Sequence, residues 1–380
     1  MATASAPSQP GMGWVFGVGG LAVAGMLMGA ALVLGELDAF WVGLSALAAC
    51  AVLYDFRIGA VLLILLLPIG SSTVLPRSLF GLTGLNPLNL VMFATLGSLI
   101  LRGKADDVGA FLPKKLFWMY ILPIGVAGLI GYRFAHLAHP ELYENLAIHF
   151  TDGRGYFLDE VVKPLFTVLI ALLVGAAVAR SKKPERFLVP IGVAIWILGL
   201  LAVSRVARTS LSLASLADPS MREFFSSLGM HANDLGRLYA VAYALLLFTW
   251  AESKDRMMRL ACLATMGLVV VALVLTFSRG AFAGFLVVNA LFLLWRFNMK
   301  TMALLLVAGV AFLAMLPPEV WMRLSMGMGE GADAVSAGRL EGIWAPLVPE
   351  LLNSPLWGNG KGSVMWSEPM AKGLMHVVTH

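Results

Sequence analysis

A chain of 380 residues that is 59% hydrophobic and only 13% charged, with a mean hydropathy of +0.85, lies far from the soluble globular range of about 45–50% apolar and about 25% charged. That composition excludes an ordinary soluble domain and predicts an all-α polytopic membrane protein, with membrane lipids among its partners. The net charge of +5 says less than its sidedness, and no nucleic-acid motif accompanies it, so no nucleic-acid partner is expected.

The N-terminal MATASAPSQPGMG has no basic region before the first apolar run, which therefore reads as an uncleaved span rather than a signal peptide. A span takes about 20 apolar residues. Windows of that kind fall at 14–35, 39–54, 58–75, 86–101, 116–135, 162–179, 187–204, 236–251, 260–277, 280–296 and 301–316. These give about 11 transmembrane helices, with 12 expected if the chain continues. The expected division is an N-terminal stack of spans over 1–194, a core of spans over 195–316 and a large external loop over 317–380. Cys50 and Cys262 both fall in apolar runs and read as small core residues.

The run from Leu260 to Trp295 carries one charge, Arg279. As a single helix it would measure roughly 54 Å, against a hydrocarbon core of about 30 Å. It therefore divides into two spans. The break belongs at Ser278-Arg279-Gly280, where glycine permits a turn and arginine reaches the interface.

Sidedness follows from the loops. On the side of the N-terminus the short loops hold Arg57; Arg102, Lys104, Lys114 and Lys115; Arg180, Lys182, Lys183 and Arg186; Lys254, Arg256 and Arg259; and Arg296 and Lys300. By the positive-inside rule that side is cytoplasmic. The Arg279 tip, the loops near 133–162 and 205–235 and the tail then lie outside, together with all six histidines.

Two readings of Arg279 stand. Its fixed charge and planar fork suit bidentate phosphate contacts, and equally a hairpin arginine snorkels to lipid headgroups. In SAGRLEGIWAPLVPELLNSPLWGNGKGS, residues 336–363, Arg339 opens a helix whose apolar positions Leu340, Ile343, Trp344 and Leu347 recur at helical spacing, and Pro349 is expected to limit its length. GNGKG lacks the strand and spacing of a phosphate loop and reads as a flexible turn. In GMHANDLGRL, His231, Asn233 and Asp234 precede a span, where Asn or Asp suits a helix cap. His376 and His380 lie four apart, but without a third ligand no metal site is assigned. Glu36 and Asp38, in the first external loop, read as a solvated turn, although metal-dependent glycosyltransferases often carry an acidic pair there.

GMHANDLGRLYAVAYALLL, LTFSRGAFAGFLVV and the SAGRLEGIW segment, each at the end of a span, resemble the O-antigen ligase and polymerase family of bacterial envelope enzymes over roughly residues 195–380. The first half of the chain shares only its stack of spans. The resemblance implies a C-type glycosyltransferase-like fold in the bacterial inner membrane, with a cytoplasmic N-terminus and a periplasmic active face. It implies a glycan on undecaprenyl pyrophosphate as donor and a sugar hydroxyl as acceptor, lipid A-core for a ligase. Polymerase and protein O-oligosaccharyltransferase activities are the alternatives within the family. Arg279 and Arg339 are then expected to hold the donor pyrophosphate, with His231 and Asn233 also binding substrate. The base is His380 or a residue just beyond it. The chemistry is metal-independent and inverting, with no cofactor. A flippase or transporter is the alternative from another class; such proteins keep coupling charges near the midplane or carry paired halves, and neither feature is evident here.

Overall fold

The computed structural model describes residues 12–70, 75–102, 111–138, 152–210, 212–296, 314–336 and 338–375, with isolated positions at 72, 150, 303, 307 and 309–311. Apart from one two-residue β-hairpin, Ser78–Leu79 with Leu82–Thr83, the regular structure among these residues is helical. Among the described residues, five helices are long and apolar enough to cross a membrane: Leu37–Tyr54, Lys114–Leu137, Gly153–Ala179, Pro184–Ala207 and Arg256–Leu275. Windows at 58–75 and 280–296 form shorter apolar helices, Phe56–Ile69 and Arg279–Trp295. The window at 301–316 lies largely outside the described residues.

The chain forms two compact units. The first comprises Met1–Gly103, Arg180–Ala194 and Ser227–Gly229. Its helix Leu37–Tyr54 packs against both Met12–Val33 and Pro87–Arg102. Gly59 permits the approach of Phe56–Leu66 to Pro87–Arg102, since a Cβ there would lie 2.0 Å from Thr95 Oγ1. Asp38 accepts a 2.8 Å hydrogen bond from the Phe80 amide. The residue expected in a solvated turn thus anchors the hairpin tip.

The second unit comprises Lys104–Ala179, Ile195–Ser226 and Met230–His380. Its centre is helix Ala232–Glu252 packed against Arg256–Leu275 and Arg279–Trp295. The break between the last two falls where span length requires it, but its chemistry differs from expectation. Phe277, not glycine, takes the left-handed conformation (φ 48°). Gly280 lies in the first turn of the following helix, which Ser278 caps by accepting from the Ala281 amide at 3.4 Å. A phenylalanine in that conformation is strained. The turn is held by burial of Phe277, Thr276 and Ser278 and by Gly236, where a Cβ would meet Ala281 at 2.7 Å and Ser278 at 3.0 Å.

Three π-helical turns, 117–121, 158–162 and 340–344, each stand just before a proline, Pro123, Pro164 and Pro346. A proline ring clashes with the carbonyl four residues back, and a widened turn relieves that clash. Helix 345–353 likewise continues four residues past Pro349, which costs a backbone hydrogen bond without ending the helix. The expected stop at Pro349 is therefore corrected.

The tail docks on its own unit. Ile343, Leu347, Met365 and Trp366 pack on a core built from Ala135, Phe150, Tyr156, Met370 and Met375. The GNGKG loop is not merely a flexible turn. Gly360 (φ 95°) lies so close to Gly131 that a Cβ would come within 2.5 Å of its nitrogen. The Lys361 amide donates to Ala127 O at 2.9 Å, and Tyr156 Oη donates to Lys361 O at 2.6 Å. Lys361 Nζ pairs with the Glu160 carboxylate at 3.1 Å and also donates to the Glu160 carbonyl, which Pro164 leaves without its helical donor.

Candidate functional site

One cavity of about 670 Å³ collects residues from four parts of the second unit: His231, Asn233, Asp234 and Arg237; Phe277 to Gly280; Arg323; and Arg339, Ile343 and Trp344. Of the sequence candidates, Arg279, Arg339, His231 and Asn233 all line it. His380 and His376 lie outside the described residues, so the expected base has no geometry here. His136 is described and exposed, and does not line the cavity.

Local folding positions each group. His231 is the N-cap of helix Ala232–Glu252, its Nδ1 accepting from the Asn233 amide at 3.2 Å. The cap was expected from Asn233 or Asp234; the imidazole takes it because His231 is the last residue with extended backbone before the helix. With Nδ1 accepting, a neutral ring carries its proton on Nε2, an atom that is itself buried. Asp234 pairs with Arg237 one turn along the helix, a contact worth little because both side chains are exposed.

Arg279 follows the Ser278 cap and donates from Nη1 to Met326 O at 2.8 Å. That bond ties the hairpin tip to the tail. Arg339 sits after Gly338 (φ 75°). Ser336 Oγ accepts from the amides of both Arg339 and Leu340 at 3.1 Å, and Asp333 Oδ1 accepts from Glu341 at 2.9 Å. The orphan amides that open helix 340–353 are thus satisfied, and Arg339 is held at that opening. Ile343 and Leu347 fix the helix to the core, while Trp344 stays 56% exposed. The apolar positions read from the sequence therefore divide: two pack inward, and Leu340 and Trp344 face outward.

The cavity has a definite electrostatic character. Four arginines and one aspartate line it, and it borders the starts of helices Ala232–Glu252, Arg279–Trp295 and 340–353. Helix starts present partial positive charge and amide donors, so both features favour an anion. Phe277, Ile343 and Trp344 supply an apolar wall beside this cationic lining. A volume near 670 Å³ suits a small-molecule headgroup, for which sites typically span about 300–1,000 Å³.

Arg323, Arg237 and Phe277 were not singled out from the sequence. Arg237 falls three residues after Asp234 in HANDLGRL, on the same helical face. Arg323 falls three after Val320 in PPEVWMRL, and both residues are buried. That spacing carried a signal, an arginine on the apolar face of a short helix. No family model, curated protein or solved structure gives a significant match to this chain.

Proposed function

We propose that this chain is a glycosyltransferase of the bacterial inner membrane, with its N-terminus cytoplasmic and the cationic cavity opening on the periplasmic side. It transfers a glycan from undecaprenyl pyrophosphate to an acceptor hydroxyl. The favoured activity is O-antigen ligation to lipid A-core. The observation that carries this reading is the shared cavity: Arg279 and Arg339, remote in sequence, line it with His231 and Asn233 beside three helix starts.

In the transfer, the acceptor oxygen bonds to the anomeric carbon of the donor sugar as the bond from that carbon to the diphosphate oxygen breaks. A single displacement inverts the anomeric centre. The electron pair leaves with the diphosphate, and the acceptor proton passes to a base, the role assigned by resemblance to His380 or a residue just beyond it. Arg279 and Arg339 meet the charge that grows on the leaving group. Loss of one comparable oxyanion donor elsewhere costs about 2.7–4 kcal/mol of barrier, so two such groups account for a large part of the acceleration without a divalent ion. His231, with Nδ1 committed to the Asn233 amide, lines the cavity beside them. Trp344 provides an exposed aromatic face for a sugar ring.

The test is reconstitution of the full chain in vesicles with undecaprenyl-pyrophosphate-linked glycan and lipid A-core. The expected result is glycan on the core with inverted linkage and release of undecaprenyl pyrophosphate. Glycan moved across the vesicle membrane but left on its lipid would replace this reading with the transporter one.

A further inference from the structure

Among the described residues two that are not glycine take the left-handed conformation, Phe80 (φ 52°) and Phe277 (φ 48°). Phe80 is exposed at the tip of the short hairpin, beside Gly81. Phe277 is 7% exposed and sits where helices Arg256–Leu275 and Arg279–Trp295 join. Glycine is the usual residue just past a helix end, and this chain has glycine at its other described left-handed positions. For a residue with a Cβ the left-handed region is a small island, whereas glycine roams widely around it. A phenylalanine forced into that island therefore fixes the direction of the following helix more narrowly than glycine would, at the cost of local strain.

The surrounding contacts hold the turn. The Phe277 amide donates to Val274 O at 3.0 Å. Thr276 Oγ1 donates to Leu273 O at 2.7 Å and accepts from the Ser278 amide at 3.4 Å, so its hydroxyl spans Phe277. Helix Ala232–Glu252 abuts the turn at Gly236, where a Cβ would meet Ala281 Cβ at 2.7 Å, Ser278 Cβ at 3.0 Å and Thr276 Oγ1 at 3.0 Å. Gly236 lies one helical turn after Asn233 and directly before Arg237, both of which line the cavity. The register between that helix and the hairpin is thus set inside the site, close to Arg279. Resting on the donor-site reading above, we propose that Phe277 is the positioning residue of Arg279: its buried ring locks the strained turn and so holds the guanidinium where the donor diphosphate binds. A misplacement of about 1 Å in a site can cost about 10²-fold in rate, so the strained turn serves precision at the diphosphate.

The experiment measures binding of undecaprenyl diphosphate to the purified full chain, with a melting profile for each variant. It compares wild type, Phe277→Gly, Phe277→Leu, Arg279→Ala and the double variant Phe277→Gly with Arg279→Ala. Phe277→Gly, which relieves the strain but frees the turn, should weaken binding about tenfold. Made on Arg279→Ala, the same change should cost little more, because the group it misplaces is already gone. Phe277→Leu keeps buried apolar bulk and should bind close to wild type; a loss as large as that of Phe277→Gly would show that the buried side chain does not hold the turn. Thr276→Val, which removes the spanning hydroxyl and leaves the ring in place, enters the same cycle should Phe277→Gly not fold, and should show the same coupling at smaller size. A purely structural ring would cost the same factor with and without Arg279. That additive result, or wild-type binding by folded Phe277→Gly, overturns the positioning role and leaves the donor site standing. If Arg279→Ala binds the diphosphate as tightly as wild type, or wild type binds it no better than undecaprenol, the donor-site reading falls and this role with it.

Discussion

At the scale of single residues, the site depends on side chains whose backbone is fixed by local chemistry. His231 has two separable jobs, capping a helix through Nδ1 and facing the cavity. His231→Ala should lower stability by about 1 kcal/mol through loss of the cap, whereas His231→Asn restores a cap and should melt close to wild type. If transfer falls in both variants, the imidazole acts on substrate as well as on the helix. Arg279→Lys preserves charge but loses the planar fork and cannot both hold Met326 O and grip a phosphate in the same way. Its transfer rate should fall well below wild type while thermal stability stays near it. Arg279 was legible because it interrupts an apolar run too long for one span, and Arg339 because it opens a helix whose apolar positions recur at helical spacing. Arg323 was not singled out: its spacing from Val320 hinted at an apolar face, but only the packing of that helix against Leu213–Ala217 shows that the arginine is buried.

At the scale of elements, the sequence exposed the spans but not how their ends are joined. The windows at 260–277 and 280–296 correspond to helices Arg256–Leu275 and Arg279–Trp295, since length alone forbids a single one. The turn residue was misassigned to Gly280 because intrinsic preference favours glycine, whereas packing around Gly236 holds Phe277 in the strained conformation. The tail shows the same limit. Polarity marks 317–380 as non-spanning, but nothing local reveals that Gly360 packs on Gly131 or that Lys361 reaches the Glu160 carbonyl. Gly360→Ala should be destabilising on two counts, an added methyl at 2.5 Å from backbone and a left-handed φ. Overpacking of this kind costs about 1–3 kcal/mol. The expected outcome is a lower melting temperature and reduced transfer, because the same docking orients helix 340–353 and hence Arg339. Normal melting and activity in that variant would show that the loop does not position the site.

At the scale of the whole molecule, composition pointed to a helical chain, five of whose described helices are long and apolar enough to cross a membrane, and charge asymmetry supplied the proposed orientation. That orientation is testable with single cysteines in a chain lacking Cys50 and Cys262. A membrane-impermeant maleimide added from the periplasmic side should label Cys introduced at Asn359 and not at Lys183. The reverse pattern would put the cavity on the cytoplasmic side and remove the undecaprenyl-linked donor from its reach. If the arginines carry the role a divalent ion would otherwise take, as proposed, exhaustive chelation should leave transfer unchanged; a rate that collapses and returns with added metal would overturn that assignment.

The central claim is that Arg279 and Arg339 together hold the donor diphosphate. It is tested most directly by the rate of glycan transfer from undecaprenyl pyrophosphate in vesicles containing wild type, Arg279→Ala or Arg339→Ala, each checked for folding by its melting profile. The account predicts a loss of about 10²-fold or more in each folded variant, with the double variant little worse than either single one because the two arginines act on one group. Transfer at the wild-type rate in both folded single variants would contradict it.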